Sequence, residues 1–144
     1  MIGNEREYRI TNAAIGRFEE ALNRLDEGST ERHSLLQQAL RESMAGEAQV
    51  LREQVAEYDA LRGGQVAVLE VDSLRELPDA LIRARIATGL TQKALAARLG
   101  LKEQQIQRYE ATRYASANLS RIQAVADALG VRIHERIVLP AVGK

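Results

Sequence analysis

An all-α fold with a minor β element is what this sequence of 144 residues predicts. Three observations carry that expectation. Apolar residues recur at steps of three and four through most of the chain, the spacing of one helix face. Aromatic residues make up only 3% and Trp is absent, so the core has to be built from Leu, Ile, Val and Ala, which suits helices. Two short stretches, 65–71 and 131–139, carry β-branched residues in the pattern of a strand. The predicted order is an αα-hairpin in 1–62, a connector with a possible strand in 63–77, and a unit of four short helices with a C-terminal strand in 78–144.

In the hairpin, Thr11 is expected to cap the first helix, with Ile10 and Ile15 at the two positions of a hydrophobic staple. Ile15, Phe18, Leu22 and Leu25 then line one face. DEGST at 26–30 breaks the pattern. A second helix is expected from Glu31 to Arg62, spanning roughly 48 Å at about 1.5 Å per residue. Its seam is Leu36, Leu40, Met44, Ala48, Leu51, Val55 and Tyr58. The first helix is expected to be about half as long. Part of the seam is then left for other uses: self-association, or docking of a separate protein.

Gly63-Gly64 stops the second helix. QVAVLEV at 65–71 reads as extended chain or strand. Ser73 and Glu76 have the spacing of a capping box, and Pro78 suits a first helical turn. Helices are expected at Pro78–Ala87, Gln92–Leu99 with Thr91 as cap, Lys102–Ala111, and Asn118–Leu129 ended by Gly130. In VRIHERIVLP, Val131, Ile133, Ile137 and Leu139 share one face at period two, interrupted by Glu135. This strand is expected to cover the core, or to pair with 66–71 or with its mate in a dimer; Val131 and Ile133 are its candidate interface residues.

The net charge is zero, but it is unevenly distributed. Residues 1–72 hold 8 Lys/Arg against 14 Asp/Glu, and residues 73–144 hold 12 against 6, a split of −6 and +6. Such asymmetry points to a polyanion partner for the second half, or to chance sorting of solvated charge. With no Cys, disulfides and thiolate metal sites are excluded. No apolar run approaches the roughly 20 residues of a membrane span, and the charged start MIGNEREYRIT is unlike a signal peptide, so a cytoplasmic location is expected. His33 and His134 are the only histidines and fall in different units. There is no G-x-S-x-G and no phosphate loop. Neither catalysis nor a cofactor nor a metal is expected.

The informative stretch is TQKALAARLGLKEQQIQRYE, residues 91–110. Leu95 and Leu99 point inward, Ala96 is small where two helices would cross, and Gly100 stands where the chain must turn sharply. Leu101, Ile106 and Tyr109 return to the same core. Helix, glycine-containing turn, helix is a helix-turn-helix arrangement. With Ile106 and Tyr109 inside, Glu103, Gln104, Gln107 and Arg108 fall on the outer side of the second helix. Glutamine can pair with adenine, arginine with guanine, and glutamate can accept from cytosine, each good pair giving about 1–3 kcal/mol of discrimination in a major groove. Glu103 also suits the positive end of the helix dipole. The alternative for the whole face is a solvated surface.

The run T-Q-x-x-L-A-x-x-L-G-L-x-x-x-x-I-x-x-Y-E resembles the Xre/Cro–lambda-repressor family of DNA-binding domains, over about residues 78–130. The resemblance implies a helical domain that binds double-stranded DNA, usually as a homodimer on a palindromic operator. It implies that Gln92 sits beside a phosphate, that Gln104, Gln107 and Arg108 read bases, and that Lys102 and Arg113 contact the backbone; Lys93 is a further phosphate candidate. Two features depart from the family. Lys102 stands where Ser or Thr commonly caps the recognition helix, and Ala111-Thr112-Arg113-Tyr114 replaces an Asn-Gly type of turn. The overall layout is similar to HigA-like antitoxins of toxin–antitoxin operons, which implies autorepression and a toxin as protein partner. A second reading is a stand-alone Xre regulator whose hairpin only dimerises, and a third is a scaffold or adaptor that has lost DNA binding.

Overall fold

The computed structural model describes residues 1–27 and 35–142. Among them are six α-helices: α1 (Glu5–Glu27), α2 (Leu35–Arg62), α3 (Leu77–Ala87), α4 (Gln92–Leu99), α5 (Glu103–Ala111) and α6 (Leu119–Leu129). The expected helix start at Glu31, most of the 26–30 breaker, and His33 lie outside the described residues.

The first helix begins at Glu5, not after Thr11. Asn4 is the better cap. Its Oδ1 accepts the Glu7 N–H at 2.8 Å, and Glu7 Oε2 reaches back to the Gly3 N–H at 2.7 Å. Two donors at the helix start are thereby satisfied. Thr11 falls inside the helix, and Ile10 is 55% exposed, so no staple forms. The added turns bring α1 to 23 residues against 28 for α2, nearer equal than expected.

The two helices pack along the expected stripes. Ile15 and Ala48 are buried, and Phe18, Leu22, Leu25, Met44, Leu51 and Val55 are half-buried. Arg52 bridges to Glu19 at 2.9 Å, and Arg41 pairs with Asp26. Near the base of the hairpin Tyr8 and Tyr58 meet at 5.1 Å between ring centroids, with the Arg62 guanidinium 4.7 and 4.8 Å from the two rings. The most exposed apolar side chains of the described hairpin are Leu35 and Leu36 at the start of α2, with Leu40, Val50 and Ile10 about half open. Tyr58, expected as an interface residue, is instead closed inside the chain at 6% exposure.

The base of the hairpin shares one core with the following helices. Ile2, Tyr58 and Leu61 cluster with Leu81, Ile82, Leu95, Ile106, Val125 and Leu129. Arg83 on α3 pairs with Glu57 on α2 at 2.5 Å. The later helices start and stop where the sequence says. Thr91 accepts from the Ala94 N–H and Asn118 from the Arg121 N–H, while Gly100 (φ 67°) and Gly130 (φ 71°) end α4 and α6 in the left-handed region.

The expected strands are not formed: no strand occurs among the described residues. The C-terminal segment leaves α6 as irregular chain, with Ile137, Val138 and Leu139 largely exposed. A period-two pattern becomes a strand only when a second backbone supplies the ladder, and neither segment forms such a ladder among the described residues. Val66, Leu69 and Val131 serve as side-chain plugs against the core instead. They border an apolar groove over α3 together with Ile133. The Ser73 capping box is also absent: Glu76 Oε2 accepts the Asp72 N–H at 2.6 Å, closing a 3-10 turn at Leu74–Glu76 that leads into α3.

Candidate nucleic-acid interface

The ridge on α5 depends on what lies beneath it. Leu95 and Ile106 have no exposed surface, and Ala96 is 2% exposed at the close approach of α4 and α5. The Leu101 N–H donates to the Ala96 carbonyl at 2.9 Å, so the turn through Gly100 is tied back onto α4. With Ile106 inward, Glu103, Gln104, Gln107 and Arg108 are all exposed. Gln107 Nε2 and Glu103 Oε1 stand 3.5 Å apart, one turn from each other.

A buried ion pair sets the angle of this ridge. Arg85 on α3 and Glu110 on α5 have side chains only 3% and 6% exposed. Arg85 Nε donates to Glu110 Oε2 at 2.6 Å, and its Nη2 donates to Oε1 at 2.9 Å. The rest of the guanidinium donates to the Leu90 carbonyl at 2.9 Å and to the Gly3 carbonyl. Gln92 Nε2 adds a bond to Glu110 Oε1 at 3.0 Å. One salt bridge thus fastens the N-terminus, α3, the start of α4 and α5. Both residues hold inward registers, Arg85 four after Leu81 and Glu110 four after Ile106. That spacing is the signal in the sequence; neither residue is among the site residues expected from it.

The two departures from the family pattern resolve in physical terms. Lys102 is the exposed N-cap of α5 and cannot accept a hydrogen bond; Gln105 Oε1 takes the Lys102 N–H at 2.9 Å, half of a capping box. After α5, the Tyr114 N–H donates to the Tyr109 carbonyl at 2.7 Å and the Arg113 N–H to the Glu110 carbonyl at 3.2 Å. This is a Schellman closure made without glycine, with Arg113 (φ 53°) and Tyr114 (φ 55°) both left-handed. The cost of that backbone is offset by an apolar contact: Tyr114 is buried and stacks on Tyr109, centroids 5.6 Å apart and planes within 5°. Burial, then the Glu110 carboxylate, pushes the Tyr114 hydroxyl well above its ordinary range.

The residues expected at the interface differ in how free they are. Lys93, Lys102, Gln104 and Arg108 are exposed. Gln92 is half-buried and held by Glu110. Arg113 Nη1 lies 3.0 Å from Asp79 Oδ1, a charge contact whose angle makes no hydrogen bond. Of the expected partner residues, Leu36 and Leu40 are open, Met44, Leu51, Val55 and Val131 are half-buried, and Ile133 is 38% exposed. The start of α1 also reaches this face. Asn4 and Arg6 line grooves on two sides of Gln107, shared with Gln92.

This geometry coincides with a family match: residues 81–136 fit the helix-turn-helix family HTH_3. Residues 81–136 are a helix-turn-helix domain. The matched segment contains α4, the Gly100 turn and α5, so the Xre/lambda-repressor-like resemblance holds for this domain. The match does not extend to the hairpin, and the HigA-like likeness is not shown by it. No curated protein and no solved structure matches the chain. Among the described residues no helix is long and apolar enough to cross a membrane, and no group of His, Asp or Glu is arranged to hold a metal.

Proposed function

We propose that the chain is a sequence-specific DNA-binding transcriptional regulator, acting as a homodimer on a palindromic operator. The observation that carries this reading is the exposed Gln104–Gln107–Arg108 ridge on a helix whose other face is locked by Ile106 and Glu110. Gln104, Gln107 and Arg108 read base edges, with Glu103 beside them. Lys93, Lys102 and Arg113 take phosphates, and the backbone at Gln92 presents the positive end of α4 to another. Catalysis and cofactors have no part in this proposal.

In its fullest form the proposal makes the protein an antitoxin that represses its own operon and neutralises a partner toxin. What supports that is the hairpin: it lies outside the DNA-binding domain, its half of the chain carries net charge −6, and Leu35, Leu36 and Leu40 are exposed near its tip. The same leucines suit a second reading, a stand-alone repressor whose hairpin only dimerises. Purification with the neighbouring gene's product separates the two. A stable complex with a small basic protein that loses its activity on binding supports the antitoxin; a homodimer alone supports the other.

DNA binding is tested on the ridge. Arg108→Ala should relax base preference at one position, a change worth about 1–3 kcal/mol. Lys102→Ala should weaken all duplexes alike and flatten the salt dependence by about one contact. If both variants bind selected and scrambled duplexes as the parent does, the reading is wrong.

A further inference from the structure

We propose that the outer face of the first turns of α1 is a second, sequence-independent contact surface for the phosphate backbone, headed by Arg6 and continued by Arg9 and Arg17. The inference rests on the DNA-binding reading above and adds a surface from outside the helix-turn-helix domain. Arg6 lines both grooves that flank Gln107 on α5, one of about 500 Å³ shared with Gln92 and Arg113, the other shared with Gln92 and Glu103. A duplex seated on the α5 ridge therefore passes next to the start of α1.

The charge on that face is unusual for this hairpin. Its nearest carboxylates are engaged elsewhere: Glu5 with Arg62 at 2.5 Å, and Glu7 with the Gly3 N–H. Farther along, Glu19 pairs with Arg52 and Glu20 with Arg24. Arg6, Arg9 and Arg17 are exposed, and none forms an ion pair among the described residues. At about 100° per residue, Arg6 and Arg17 lie within about 20° of each other, with Arg9 about 60° to one side and Ala13 between them. Ile15, the buried residue of α1, lies about 180° from Arg6, so the arginines face away from α2. A half of the chain that is net acidic thus presents a basic stripe whose first residue, Arg6, borders the recognition helix. The guanidinium fork suits phosphate oxygens, and the stripe flanks the ridge instead of forming part of it, so it adds affinity without reading bases.

The test compares the full-length parent with Arg6→Ala and with the triple variant Arg6→Ala, Arg9→Ala, Arg17→Ala. The probes are a duplex selected by the parent from a random-sequence pool and a scrambled duplex of the same composition, each titrated over a range of salt. Helical content and thermal unfolding should match the parent, since all three side chains are exposed. Both duplexes should be weakened by the same factor, with their affinity ratio unchanged. The slope of log K against log salt should become shallower by about 0.9 for Arg6 and by up to about 2.7 for the triple variant. Lysine at the three positions should restore most of the slope, and Arg24→Ala, at the paired far end, should leave it alone. A triple variant with the parent's affinities and slope overturns the stripe while leaving the ridge intact. A parent that binds no duplex overturns both.

Discussion

The Glu110 carboxylate accepts three hydrogen bonds in one buried site, two from Arg85, one to each oxygen, and one from Gln92. Such a pair adds little net stability over apolar packing, but it specifies geometry, because either charge left alone in the core would cost several kcal/mol. Tyr114, beside it, takes the left-handed backbone after α5 and covers Tyr109. Its hydroxyl is held protonated in the folded chain by burial and by the Glu110 carboxylate. The unfolded chain ionises near the ordinary value of 10.0, so the folded state holds the extra proton above that pH and loses stability as pH rises. Tyr114→Phe should match the parent at neutral pH and become progressively the more stable of the two above pH 10. The slope of that difference should approach about 1.4 kcal/mol per pH unit. Urea unfolding midpoints of both proteins across that range check it; parallel midpoints would remove Tyr114 from the alkaline transition.

Among the elements, α4 and α5 function as one rigid pair, and the hinge between them is Gly100. Its φ is 67°, and a Cβ added there would meet nothing within 4 Å. Gly100→Ala therefore tests backbone strain alone, without a clash. It should cost about 1–2 kcal/mol in thermal or chemical unfolding, and the melted fraction should account for any loss of DNA binding. A variant of unchanged stability would mean that the turn tolerates other geometries, and with them other ridge angles. The helix starts show the opposite case. Asn4, Thr91 and Asn118 each supply a side-chain oxygen to an N–H three residues on, and Lys102, which cannot, has Gln105 do half the task. The α5 start is therefore held by its third residue, leaving the Lys102 ammonium exposed toward solvent.

On the scale of the molecule, Ile2, Tyr58 and Leu61 bring the hairpin into the core that carries α3 to α6. The two predicted units thus share buried side chains as well as a connector. Leu61 is 1% exposed, and Leu61→Ala should cost about 2–5 kcal/mol. Because the core is common, the loss should appear as one shifted transition, seen alike by far-ultraviolet circular dichroism and by tyrosine fluorescence. Two separate transitions, with only the hairpin affected, would mean that the halves fold independently.

The sequence by itself determined the six helical faces, most of their ends, and the identity of the α5 ridge. These follow from local rules: the three-and-four spacing of apolar residues, cap residues, and glycines at left-handed turns. It misplaced the start of α1, because Asn4 and Glu7 compete with Thr11 for the same role and only the preceding chain, anchored by Ile2 and by Arg85, favours the earlier cap. It anticipated strands at 65–71 and 131–139, because alternation records a preference and a strand needs a neighbouring backbone. Only the tertiary structure decided that Arg85 and Glu110 are buried against each other and that the first turns of α1 border the recognition helix. Those facts join residues about 25 and about 100 positions apart, and no local spacing encodes which distant faces meet when a shared core closes.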